Sequence, residues 1–225
     1  LEAAMSEINT AINRVNQIFE GDLGIHLNLI TTNSSIIEVA PADFGFSNNN
    51  VSALLNQNQT QIDTTIGNSN YDIGHVFGTR GGGVAGLRVA CNDDYKAWGV
   101  TGLKNPTGDP FYIDYVAHEI GHQFGGNHSY NGSNSNCANR NASTAFEPGS
   151  GSSIMGYAGL CIDENISNST DATFHAGSIA EINSFVTGAG GTCATSAIIS
   201  PANSDPTNVN AGIDRVIPIN TPFRL

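Results

Sequence analysis

An α+β fold is what this sequence predicts, and three kinds of pattern predict it. Apolar residues recur at three- and four-residue steps in several separate stretches, alternate in another, and form short runs beside glycines elsewhere. Helices and strands are therefore interspersed, and no apolar run reaches the ~20 residues that span a bilayer.

Residues 2 to 19 place Met5, Ile8, Ile12, Val15 and Phe19 on one stripe, the pattern of an amphipathic helix, which Gly21 and Gly24 are expected to stop. Residues 25 to 30 put Ile25, Leu27 and Leu29 on one side and His26 and Asn28 on the other, a strand with one wetter face. His26 then reads as a surface or half-buried strand residue. A second helix is expected within 51–66, closed by Gly67-Asn68-Ser69-Asn70. Residues 72–77 read as a short buried strand, and Gly81-Gly82-Gly83 introduces a further extended piece from 84 to 91. That glycine run lacks the Lys-Ser/Thr and the following helix of a phosphate loop. Residues 111–122 read as a helix anchored in the core by Tyr112, Val116 and Ile120. An Asn/Ser/Gly-rich loop follows at 131–143. Ile179, Ile182 and Val186 mark a C-terminal helix over 178–186, with His175 as a packing or hydrogen-bonding residue at its opening.

The chemistry is concentrated in His118-Glu119-Ile120-Gly121-His122-Gln123-Phe124-Gly125-Gly126-Asn127-His128, which fits H-E-x-x-H-x-x-G-x-x-H at each fixed position. Residues four apart share a helix face, so His118 and His122 can offer imidazole nitrogens to one ion. Glu119 lies one step round from that face, placed to take a proton from a water rather than to act as a third ligand. Gly125 is expected to end the helix in a left-handed turn that brings His128 back to the same ion. Three neutral imidazoles leave zinc an open fourth position, the pattern of a catalytic site rather than a structural one.

This motif, with Ser153-Ile154-Met155-Gly156-Tyr157 downstream, resembles the metzincin zinc endopeptidases and, within them, the bacterial reprolysin-like branch. The resemblance extends from about residue 13 to residue 193, through Tyr71-Asp72-Ile73-Gly74-His75-Val76-Phe77, Gly81-Gly82-Gly83-Val84-Ala85-Gly86-Leu87 and Phe146-Glu147-Pro148-Gly149-Ser150-Gly151-Ser152. The zinc motif and the methionine segment are specific; the others are supportive. The resemblance implies a metzincin-type domain, a twisted mixed β-sheet with an active-site helix, a second backing helix and a C-terminal helix. It also implies a secreted zinc-dependent endopeptidase acting on proteins or peptides, with His118, His122 and His128 holding zinc and Glu119 activating a water. Met155 would lie beneath the ion as a hydrophobic base for the imidazoles, not as a ligand.

Two roles stay open for Tyr157: its hydroxyl binds zinc or steadies an oxyanion, or its ring packs. Substrate is expected to pair in extended form with an edge strand at 84–88, where Arg88 divides evenly between substrate contact and surface charge and His75 reads as structural. The resemblance further implies disulfides Cys91–Cys193 and Cys137–Cys161. It also implies an interior first strand ahead of the first helix, whereas the helical pattern here begins at residue 2. The expectation is that the chain lacks that strand and that a separate N-terminal fragment of the same precursor fills the slot beside 25–30.

Composition narrows the rest. Lys+Arg number 8 against 20 Asp+Glu, a net charge of -12, which disfavours nucleic acid and anionic membrane as partners. The same balance favours cations, and structural calcium is a candidate second cofactor beside zinc. The cysteines Cys91, Cys137, Cys161 and Cys193 lack C-x-x-C spacing, which points to two disulfides in an oxidising compartment with three connectivities open. The expected organisation is a catalytic domain over 1–195, then a Pro/Ser/Asn/Asp-rich linker and the start of a truncated immunoglobulin-like module over 196–225. A zinc-bearing binding or adhesion module without turnover is the alternative, with a metallohydrolase acting on something other than protein behind it. Glu119 separates catalysis from mere binding, because a module that only binds needs no carboxylate there.

Overall fold

The computed structural model of the chain describes residues 1–38, 45–48 and 50–196. Helix α1 runs from Glu2 to Leu23 and buries Ala11, Val15, Ile18 and Phe19, while Met5, Ile8 and Ile12 are half-buried. Gly21 does not stop it; Gly24 does. Gly24 takes φ 66, and the N–H groups of Gly24 and Ile25 close back on the carbonyls of Glu20 and Phe19.

The strand predicted over 25–30 is a correction. Among the described residues this segment joins no ladder. It is held by the side chain of Asn16, which accepts from the N–H of Leu27 and donates to its carbonyl, both at 2.8 Å. One buried amide thus supplies a single pair of the bonds that a neighbouring strand would supply along its whole length.

Helix α2 spans Val51–Thr65, opened by Asn50, whose side chain accepts from the N–H of Ala53. Three short strands follow: β1 (Val76–Gly78), β2 (Gly82–Ala85) and β3 (Gly99–Gly102). Their order is β1-β3-β2, with β1 parallel to β3 (Val76 opposite Val100) and β2 antiparallel to it (Val84 opposite Val100), so the sheet is mixed. Central β3, buried throughout, escapes the sequence reading. The strand expected over 72–77 shrinks to β1. The extended piece expected over 84–91 forms its ladder earlier and ends at Ala85. Beyond it the chain turns through Arg88 (φ 61) and Cys91 (φ 62). The turn lets the N–H groups of Arg88, Val89 and Ala90 close on the carbonyls of His122 and Gln123. A helix C-terminus otherwise left with unpaired carbonyls is capped this way.

The helical run through the middle of the chain has three parts: α3 (Asp109–Phe111), a π-wound stretch (Tyr112–Ala117) and α4 (His118–Gln123). The expected anchors Tyr112, Val116 and Ile120 are all buried, in one cluster with Val15, Phe19, Phe124, Ile154, Met155, Phe174 and Ile182. The last of these belongs to α5 (Ala176–Val186), which opens with the His175 ring accepting from the N–H of Gly177. Cysteine pairs join Cys91 to Cys193 and Cys137 to Cys161, the pairing that the resemblance implies. Their sequence separations of 102 and 24 correspond to about 5 and about 3 kcal/mol of chain-entropy stabilisation. One compact unit spans Leu1–Ala194. Nearly all of the expected linker and immunoglobulin-like start lies outside the described residues. Among the described residues, no helix is long and apolar enough to cross a membrane.

Candidate metal centre

The first two histidines are one helical turn apart on α4, and the third returns from outside the helix. Gly125 makes that return, at φ 99, with its N–H on the carbonyl of His122 at 2.8 Å; the N–H of Gly126 bonds to the carbonyl of Gly121 at 2.9 Å. His118, His122 and His128 each present a ring nitrogen so that all three atoms lie within 4.8 Å of one another. The ring centroids of His118 and His122 are 4.7 Å apart, and those of His122 and His128 4.6 Å.

Tautomers follow from the neighbours. His118 Nδ1 meets the carbonyl of Ile154 at 2.6 Å, and His122 Nδ1 meets that of Gly126 at 2.7 Å. A carbonyl can only accept, so each Nδ1 carries the proton and each Nε2 keeps its lone pair, that of His122 meeting His128 Nε2 at 3.1 Å. Burial disfavours the charged rings and, joined for His118 by His122 and His128, holds His118 well below its ordinary pKa. Burial likewise lowers His122 to about 4 and, joined by His122, His128 to about 3. Neutral imidazoles are the form that binds a metal.

Glu119 lies beside them, 7% exposed, with an Oε2 that is buried and has no hydrogen-bond partner. Burial raises its pKa to about 8. Such an orphaned carboxylate oxygen is costly unless a water or a cation meets it. Three convergent imidazole nitrogens next to it form a donor set that fits zinc. Gly83 of β2 lies against Glu119 so closely that an added Cβ would collide with the carboxylate.

Beneath α4, Met155 is fully buried, and a Cβ on Gly121 would come within 2.7 Å of its sulfur. Tyr157 is brought to the triad as well. Its ring centroid is 4.5 Å from that of His128 and 5.7 Å from that of His118, and its ring stacks on Tyr130 at 4.5 Å. Burial, then the nearby Tyr130 and Glu119, push its phenol up to about 12. His26 and His175 are not brought here: His26 contacts Glu20, and His175 stacks on Phe146.

Sequence reasoning missed several supporting residues. Gln123 donates to the carbonyl of Gly74, while His75 bonds Gln123 Oε1 and Thr101 Oγ1, both at 2.8 Å. The zinc-motif helix is thereby tied to β3 through the structural histidine. Glu181 of α5 grips Asn127 at its backbone N–H (3.2 Å) and side chain (2.7 Å). Glu147 reaches Ser129 and Ser153. The only signal for these was polarity at positions adjoining the motifs. No second group of three or more metal-ligating side chains occurs among the described residues, so the expected structural calcium finds no support.

Residues 5–129, more than half of the chain, match the family described as Metallo-peptidase family M12B Reprolysin-like. No curated protein matches the chain significantly. The mixed α+β architecture and the histidine triad agree with that match, and the chain belongs to the reprolysin-like M12B metallopeptidase family.

Proposed function

We propose that this protein is a secreted zinc endopeptidase in which His118, His122 and His128 hold the ion and Glu119 is the general base. The observation that carries the reading is the convergence of three neutral imidazoles beside a buried carboxylate with an unpartnered oxygen. When bound, zinc supplies a Lewis acid that polarises a peptide carbonyl and acidifies a water. Glu119 takes the water's proton and delivers it to the departing amine; its buried Oε2, with no hydrogen-bond partner, is free to receive that proton. Tyr157 keeps its phenol proton across the working range and donates a hydrogen bond to the oxyanion of the peptide carbon.

Substrate runs extended along β2. Its outer edge carries no strand among the described residues, and Gly83 puts that edge beside Glu119. The two disulfides support an oxidising, extracellular setting. The catalytic domain occupies residues 1–195.

Casein digestion tests the reading. Chelator is expected to abolish it and zinc to restore it, while Glu119→Gln keeps zinc and loses roughly 10^3-fold in rate. Near-wild-type digestion by Glu119→Gln would sink the mechanism.

A further inference from the structure

Of the three candidate ligands, His128 alone lacks helical support, since α4 ends at Gln123. Glu181 holds Asn127 before it, and the Thr144 hydroxyl donates to the carbonyl of His128 at 2.7 Å; the residue after it is fixed by a buried carboxylate from another loop. Glu147, 8% exposed, accepts hydrogen bonds from Ser129 Oγ, from Ser153 Oγ at 2.5 Å, and from the N–H groups of Ser152 and Ser153 at 3.0 Å each. Its own N–H bonds to the carbonyl of Ser129 at 2.9 Å, and Tyr130 pairs with it in an isolated parallel bridge. Ser129 follows His128 directly, and Ser153 lies two residues before Met155. The N–H of Ser129 also bonds to the carbonyl of Met155 at 2.9 Å. Gly151, at φ 64, gives the carboxylate room: a Cβ there would lie 2.8 Å from the carboxyl carbon.

We propose that Glu147 is a positioning residue for the metal centre: through Ser129 it sets the third ligand, His128, in register with the turn that carries Met155. The four partners sort by oxygen: Oε1 takes the two N–H groups and Oε2 the two serine hydroxyls, all as charge-assisted bonds to one carboxylate. An amide could meet the same four only by reversing both hydroxyls from donors to acceptors and giving up the charge. Burial by itself would raise the pKa of this carboxyl, but the four donors outweigh it and hold the group ionised. Two arms, one to the ligand segment and one to the methionine turn, make Glu147 a brace between the parts that must face each other across the ion. The helix holds His118 and His122 without it, so the effect of losing Glu147 falls on the third ligand.

The inference rests on the zinc reading and is tested apart from activity. Zinc affinity is measured by competition with a chromophoric chelator, with thermal unfolding of the metal-free protein in parallel. Glu147→Ala and Ser129→Ala are each expected to weaken zinc binding by about tenfold, and the double variant by no more than the worse single one, because both cut the same arm. Zinc affinity within about twofold of wild type in folded Glu147→Ala, whatever its unfolding temperature, would overturn the inference and leave a merely structural carboxylate. Should Glu147→Ala not fold, Ser129→Ala decides by the same criterion. A wild-type protein that binds no zinc overturns the functional reading itself, so the two failures are distinguishable.

Discussion

Tyr157 shows how much one side chain can gain from its surroundings. Buried against Tyr130 and His128, and near enough to Glu119 to sense its charge, the phenol is pushed up to about 12 and stays protonated at neutral pH. A proton held there is useful to a developing oxyanion, whereas a ring that only packed would need no hydroxyl. Tyr157→Phe is therefore expected to lower kcat by roughly 10^2-fold with zinc content and KM nearly unchanged. An unchanged kcat would assign the ring to packing. At this scale the sequence is read well where spacing is the signal: His118, His122 and His128 are found by counting. Glu147 and Gln123 are not, because what they do depends on which loops they meet.

Strand β2 connects the sheet to the site. It is only four residues long, Gly82–Ala85, and Gly83 is required by the space that Glu119 occupies, since a methyl group there would collide with the carboxylate. Gly83→Ala is expected to push Glu119 out of line and cut kcat/KM by about 10^2-fold, with zinc bound as before. Retained activity would mean that the strand yields and the contact does not constrain the base. Elements with long periods were legible: α1, α2 and α5 are where apolar spacing puts them, with ends off by a few residues. Central β3 was not, since Gly99-Val100-Thr101-Gly102 is too short for any period to show. The segment 25–30 alternates like a strand, yet alternation reports two unlike faces and not a hydrogen-bonded neighbour.

For the molecule as a whole, buried neutral histidines make acid the weak side of the metal-free protein. His75 keeps some exposed surface, but both its ring nitrogens are turned inward, and their burial lowers its pKa to about 4. His122 is lowered to about 4, His128 to about 3, and His118 well below 6.5. A folded pKa below the unfolded 6.5 means that the unfolded chain binds protons first, so stability is lost as pH falls through 6.5 toward the folded values. Glu119 acts in the opposite sense: its folded pKa of about 8 against 4.5 makes stability rise as pH falls from 8 to 4.5. Each group changes stability by at most about 1.4 kcal/mol per pH unit, so four histidines outweigh one glutamate below 6.5 by about 4 kcal/mol per unit. Denaturant unfolding of metal-free protein should show a maximum at pH ~7, where the four unfolded histidines together bind about as many protons as folded Glu119, and a steep decline by pH ~5. Flat stability across that interval would mean that the rings are already solvated.

The sequence by itself determined the candidate metal set of His118, His122 and His128, the candidate base Glu119 beside it and the turn at Gly125, because each rests on spacing within one short segment and on the fixed geometry of a helical turn; the place of Met155 came from the resemblance. Tertiary structure alone decided how that segment is braced. The Glu147 brace, the link from His75 through Gln123 to β3, and the place of Gly83 against Glu119 join residues of separate segments of the chain. Such contacts are set by the path of the chain through the core, and local periodicity carries no record of that path.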